Sequence, residues 1–349
     1  MLRAVVAALA LAVAIPGAAQ EISANLVAGE PGSTELRAGQ DLAALAAGCG
    51  LSITARETGG AVENMQAVRD RRATQLGIVQ GDVLEYFRTY ENDDPDLRRP
   101  AQGVRVVFPL FDEEVHVIAR REIGSFADLA GKRVAIGLPD SGTSVTAGLI
   151  LDLAQVQPAE RRPLAPEAAL EALRAGDIDA VIDVAGAPDA RLAAADLDPA
   201  TFHLLPLDAP ALTAAYAAAT IPAGTYAFAP DPVAVVSVPA YLVTFDFDPR
   251  RNGYQAAACR MVADLGHLVV SRLDELRADG HPKWASADLR ALPDGWEVSP
   301  CVLAGLDPAY DFTCRRPDGS EVREGPAGAA GGEANRLYLD RICARLGGC

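Results

Sequence analysis

Two distant stretches of this chain follow one plan, and that plan leaves few folds open. Thr58 to Asn64 places a glycine pair, Gly59 and Gly60, and Asn64 at the start of a helical pattern. Gly77 to Val83 is a short apolar strand that ends in small and polar residues, Gln80, Gly81 and Asp82. Gly137 to Thr143 repeats the order of strand, then a Ser141-Gly142-Thr143 loop, then helix. A strand-end loop beside a helix start presents backbone N–H groups and the positive end of a helix dipole, which suits a small anionic group. Two such loops predict two lobes facing one ligand, not a catalytic centre.

The first residues set the compartment. Met1 to Arg3 is a short basic start, Ala4 to Ile15 an apolar run, and Pro16 to Ala19 a small-residue cleavage site. That is the three-part build of a secretory signal peptide over residues 1–19, removed near Ala19 on the way to the periplasm. The apolar run is shorter than the ~20 residues a spanning helix needs, so no membrane insertion of the mature chain is expected. A formal net charge of −16 repels nucleic acid and anionic lipid, and no basic stripe reverses it.

Further along, short apolar runs alternate with helical patterns, which reads as an α/β protein. Strands are expected at Ala24 to Ala28, Leu51 to Ala55, Leu76 to Val79, Val104 to Leu110, Glu114 to Ala119, Val134 to Gly137, Ala180 to Val184 and Val233 to Thr244. Helices are expected at Gln40 to Gly48, Val62 to Arg72, Pro166 to Ala175 and Tyr254 to Ala278, with Tyr90 to Pro100 a surface loop. Ser125 and Asp128 form a near capping box. Pro166 near a first turn and Gly176 past a last one show the usual helix asymmetry.

The chain carries 6 cysteines, an even number for an oxidising compartment, so disulfides are expected among Cys49, Cys259, Cys301, Cys314, Cys343 and Cys349. Metal binding fails on spacing, because there is no C-x-x-C pair and His116, His203, His267 and His281 are scattered. In the tail, Pro317-Asp318-Gly319 predicts a β-hairpin, followed by a glycine-rich link over 325–332 and a helix over 333–346. Such small elements need staples. Cys314 is expected to pair with Cys343 or Cys349, and Cys301 with Cys49 or Cys259, outside the ligand cleft.

The ordered motifs T-G-G-A-V-E-N, G-I-V-Q-G-D-V, S-F-A-D-L-A-G-K-R-V-A-I-G, S-G-T, V-A-G-A-P and T-I-P-A-G-T-Y run from about Asn25 to about Trp296. In that order they resemble the TAXI family, the extracytoplasmic solute-binding subunits of TRAP-type transporters. The resemblance implies a bilobal periplasmic binding protein-like fold of type II, with two mixed sheets flanked by helices and a two-strand hinge. Lobe 1 would comprise residues 20–112 and 242–300 and lobe 2 residues 113–241. Crossovers would lie near 113–118 and 233–241, and 301–349 would form a cysteine-bearing extension. It also implies capture of a small organic acid or amino acid, glutamate-like or a dicarboxylate, for a TRAP-type membrane permease, without ATP and without a cofactor. A ligand-sensing subunit for a membrane receptor is the alternative reading.

Candidate ligand contacts follow the loops. Ser33 and Thr34 offer hydroxyls after the first strand, although Glu35 adds a charge unhelpful to an acid. Gly60 allows close backbone approach, and Asn64 can bond ligand or tie the loop. Gln80 and Asp82 flank a strand end, where α/β folds hold ligands. Ser141, Gly142 and Thr143 combine hydroxyls with a helix start, and Gly186 lies in a small-residue loop after another strand. Tyr226 is expected either to cover the ligand or to fill the hinge. No G-x-S-x-G, H-E-x-x-H, Walker A or dinucleotide fingerprint is present, so the chain is not read as an enzyme.

Overall fold

The computed structural model describes residues 23–71, 73–90, 99–323 and 325. The proposed signal peptide, most of the Tyr90 to Pro100 loop, the tail link and helix, Cys343 and Cys349 lie outside these residues.

The first lobe starts with alternating strands and helices: β1 (Ala24–Val27), α1 (Thr34–Ala47), β2 (Ile53–Arg56), α2 (Ala61–Asp70), β3 (Thr74–Gln80) and α3 (Gly81–Tyr90). A long strand β4 (Val104–Arg120) then enters the second lobe. There the chain forms β5 (Arg133–Ala135), α4 (Gly142–Leu153), β6 (Glu160–Arg162), α5 (Pro166–Ala175), β7 (Ala180–Ala185) and the short α6 (Ala190–Ala193). After β8 (Phe202–Leu204), α7 (Pro210–Ala215) and β9 (Ala217–Ile221), β10 (Val233–Phe245) returns, and α8 (Gly253–Ser271), α9 (Leu273–Asp279) and α10 (Pro300–Leu306) complete the body.

The protein is α/β and bilobal, but its sheets are not two. One ten-stranded mixed sheet runs in the order β2-β1-β3-β10-β4-β7-β5-β6, with β8 on β4 and β9 on β10. The two apolar runs expected on either side of residue 112 are a single strand, because β4 pairs antiparallel with β10 from Val104 to Glu114 and then with β7. Pro109 and Pro239 sit within this central pair, and the register shifts beside Pro239. A proline cannot donate to the ladder, so it is tolerated where the strand bulges and bends.

Cores form on either side of that bend. One apolar cluster draws from Val115 to Val238. A second draws from Ala24 to Phe111 and again from Ala240 to Leu306, with a third on the other face of the same strands. Hence β4 and β10 change core between Phe111 and Val115 and between Val238 and Ala240.

Helix ends follow the local chemistry. Ser33 caps α1 by accepting from the Leu36 N–H at 3.1 Å, which starts that helix earlier than Gln40. Helix α5 has the expected bounds, with Gly176 left-handed at φ 85°. The Ser125 N–H and hydroxyl both donate to the Asp128 carboxylate at the head of a 3-10 turn. The single helix expected from Tyr254 to Ala278 is broken at Arg272, whose φ of −126° and ψ of 26° leave the helical region. Among the described residues, no helix is long and apolar enough to cross a membrane.

The predicted hairpin is present as β11 (Thr313–Arg315) against β12 (Glu321–Arg323). Its staple differs from expectation. Cys314 bonds Cys49 at the end of α1, not Cys343 or Cys349, while Cys301 bonds Cys259 within the body. The reason is packing: Phe312 and Cys314 are buried with Cys49 and Leu268, so the hairpin already lies against the first lobe. Closing a loop with a sequence separation of 265 residues restricts the unfolded chain strongly. Cys49→Ala should therefore lower unfolding free energy by ~2–4 kcal/mol, and non-reducing peptide mapping should recover both pairs. A Cys314 peptide linked anywhere but to Cys49 would contradict this pairing.

Candidate functional site

Between the lobes, on the side where β3 and β7 end, lies a cleft lined by Ser33, Glu35, Gly60, Gln80, Gly142 and Arg191, among others. Its free volume is about 40 Å³, room for a few water-sized spheres and no more. A solute must therefore part the lobes to enter. Two helices point their starts into this cleft, α2 from the first lobe and α4 from the second, and the leading N–H groups of a helix have no intrahelical partner. The two starts touch. A Cβ on Gly60, whose φ is 121°, would lie 3.0 Å from Ser141 Cα, and one on Gly142 would overlap Gln80 Oε1. The Val62 N–H crosses the gap to donate to the Asp140 carbonyl at 3.2 Å.

Of the residues expected to contact ligand, Ser33, Gly60, Gln80, Ser141, Gly142 and Thr143 line the cleft. Two of their hydroxyls are already engaged: Ser141 Oγ accepts from the Ser144 N–H at 3.0 Å and donates to the Leu138 carbonyl at 2.7 Å. Thr143 Oγ1 accepts from the Val184 N–H at 3.3 Å, which leaves its proton free to be donated. Gln80 Nε2 donates to Glu113 at 2.9 Å, and its Oε1, buried in the cleft, has no partner among the described residues.

Thr34, Asn64, Asp82 and Gly186 lie outside the cleft lining and hold the walls instead. Thr34 Oγ1 accepts from the Gly186 N–H at 3.1 Å and donates to its carbonyl at 3.4 Å, a clasp between lobes. Asn64 is buried and ties its loop, donating to the carbonyls of Ala28 and Ile78 and accepting from Thr58. Asp82 accepts from Thr146 at 2.7 Å and from Tyr216 at 3.2 Å, both in the second lobe. Tyr226 lies outside the cleft lining, buried in the second lobe's core, bonded to His116 Nε2 at 2.8 Å and accepting from the Asp189 N–H.

Residues 26–257 match the NMT1-like family. The chain belongs to the NMT1-like family. Among solved structures, the GluR0 ligand-binding core from Nostoc punctiforme in complex with L-glutamate is 18% identical, covering 70% of this chain and 97% of that one at a TM-score of 0.40. MatC from Rhodopseudomonas palustris with bound malate is 19% identical, covering 73% of this chain and 88% of that one at a TM-score of 0.45.

Besides Glu35, the cleft of this NMT1-like protein holds charges that the loop motifs do not reveal. Arg191, one turn into the second lobe after β7, lines it together with Glu30, Glu35 and Asp183. Asp189 grips the Arg191 guanidinium through Nε and Nη2 at 3.2–3.3 Å, and Asp183 adds a contact at 3.3 Å. Burial works against the arginine's charge, but Asp183, Asp189 and Glu35 outweigh it and hold its pKa above the usual range. Behind the cleft, Lys283 Nζ meets Glu114 at 2.7 Å, a further contact between lobes. No spacing in the sequence joins Glu35, Glu113, Asp183 and Arg191; the fold brings them together.

Three carboxyls in or near the cleft, Glu35, Glu113 and Asp82, are shifted upward. Burial raises Glu35 to about 7, although its own backbone N–H and Arg191 pull the other way. Burial, then the nearby Glu35, pushes Glu113 well above the ordinary range. Burial lifts Asp82 to about 6 against its bonds from Thr146 and Tyr216.

A raised folded-state pKa means that the native protein binds the proton more tightly than the unfolded chain. Stability from Glu35 is thus fully present below its ordinary 4.5 and is lost as pH rises through about 7. Glu35→Gln removes that loss. Urea unfolding at pH 5 and pH 8 should show the variant gaining up to about 3 kcal/mol on wild type across that interval. Parallel pH profiles for the two proteins would show that Glu35 keeps an ordinary pKa.

Proposed function

We propose that this chain is an extracytoplasmic solute-binding protein of the TAXI type, which closes its two lobes on a small carboxylate-bearing solute. Amino acids and dicarboxylates are the first compounds to consider. It would deliver the solute to a TRAP-type membrane permease and would itself catalyse nothing. Residues 20–112 and 242–300 serve as one lobe, 113–241 as the other, and the crossing stretches of β4 and β10 as the hinge. The signal-peptide pattern of residues 1–19 supports a periplasmic site of action.

The observation that carries this reading is the meeting of two helix starts, α2 at Gly60 and α4 at Ser141, across one cleft. Each offers N–H groups and the positive end of a dipole to the same small volume, so a carboxylate there is held by both lobes at once. Such a ligand stabilises the closed form by bridging it, which is what a capture protein requires. The order of the loop motifs supports the TAXI assignment, and with it the permease.

A thermal-shift screen of the purified protein tests the reading. A true ligand at 100 times its dissociation constant adds ~2.7 kcal/mol to stability. Thr143→Ala, which removes the remaining hydroxyl donor at the α4 start, should then weaken binding by about 1–3 kcal/mol. Response to neutral sugars alone, or unchanged affinity in that variant, would count against a carboxylate at the helix starts.

A further inference from the structure

The cleft has a second chemical character that the helix starts do not explain. Two buried oxygens of its lining, Glu35 Oε2 and Gln80 Oε1, and a third just behind it, Glu113 Oε1, have no hydrogen-bond partner among the described residues. Gln80 and Glu113 are 3% and 0% exposed. An unpaired buried acceptor is costly, and three in one small volume call for a partner that donates several hydrogen bonds.

Charge points the same way. Glu30, Glu35 and Asp183 line the cleft and Glu113 stands directly behind Gln80, against Arg191, the one cation of the lining among the described residues. That arginine is already matched, since Asp189 holds its Nε and Nη2. Burial raises Glu35 and Glu113, so they ionise fully only beside a cation, and a dicarboxylate would oppose that ionisation in a poorly solvated space. Among the described residues no three His, Cys, Asp or Glu side chains are grouped to hold a metal ion, and Gln80 would be a weak ligand for one. An organic cation with several N–H donors fits better.

Resting on the solute-capture reading above, we propose that Glu35, Gln80 and Glu113 form a cation subsite for an ammonium or guanidinium group, and that the captured solute is a basic amino acid. Its carboxylate would take the helix starts at Gly60 and Ser141, and its cationic side chain the three acceptors. The subsite sits at the end of β3, with Glu113 reached across β10 on β4, at the base of the cleft between the lobes. A cation there attracts carboxylates contributed from α1 and from the crossing strand β4, so it favours closure in addition to binding. Within that reading, the acids favour a basic amino acid over a dicarboxylate.

Calorimetric titration of the full-length mature protein with L-arginine, L-lysine, L-glutamine, L-glutamate and malate tests this. Arginine or lysine should bind at least tenfold more tightly than glutamate or malate. Glu35→Gln, which keeps the shape and removes the charge, should weaken the basic ligand by about tenfold and narrow its advantage over L-glutamine. If glutamate, malate or glutamine binds most tightly, the cation subsite is wrong while solute capture stands. If the basic ligand binds Glu35→Gln as tightly as wild type, the assignment of these acceptors is wrong. Should none of the five bind a protein that melts cooperatively, the capture reading falls and this inference with it.

Discussion

The antiparallel pairing of β4 with β10 is the constraint on which the rest of the molecule depends. The two strands are the only continuous backbone shared by both cores among the described residues, and each changes core within a few residues of its proline bulge. Beyond these strands, Val145 packs on an apolar cluster of the first lobe, and several contacts between lobes are polar and local: Thr34 with Gly186, Asp82 with Thr146 and Tyr216, Lys283 with Glu114. Such contacts exchange with water at small net cost, whereas breaking two apolar cores costs far more. The two cores are therefore joined through two strands, and the polar pairs across the cleft are the contacts that water replaces most cheaply.

That division explains the composition of the cleft walls. Small residues stand where the lobes touch, since a side chain on Gly60 or Gly142 would strike the opposite wall. Hydroxyls and carboxyls stand where a wall must be held or a ligand met. Glu113 shows the tension most clearly: it is a fully buried carboxyl in a crossing strand, bonded by one Gln80 N–H. A structural strand would gain stability from an apolar residue at that position. Its presence there is an argument for a role beside the cleft.

How much of this was legible in the sequence depended on the range of the interactions involved. Helix α5, bracketed by Pro166 and Gly176, and the Ser125–Asp128 turn are local events, and their residues announce them. The tail hairpin at Pro317-Asp318-Gly319 was equally plain. By contrast, β4 reads as two runs because Phe111-Asp112-Glu113-Glu114 interrupts the apolar pattern, and only pairing with β10 and β7 makes it one strand. The partner of Cys314 was set by the packing of Phe312 on the first lobe, which no spacing records. In the site, the loops that enter the cleft could be recognised, but whether a polar side chain faced ligand or wall could not. Thr34 and Asp82 look like ligand residues until their partners across the cleft are known. The acid cluster with Arg191 escaped notice because its members come from separate elements.

The joining of both chain ends into the first lobe sets an order of events during synthesis. The second lobe draws its core from one uninterrupted stretch, so it can condense as soon as β10 has emerged from the ribosome. The first lobe cannot: β3 has no partner on its β10 side until that strand appears, and α8 and α10 fill its core later still. Residues from Ala24 to Phe111 must therefore wait with apolar faces open while the second lobe forms. The Cys49–Cys314 bond is the last covalent step available to them, and it locks the earliest helix to the hairpin only after nearly the whole chain has been made.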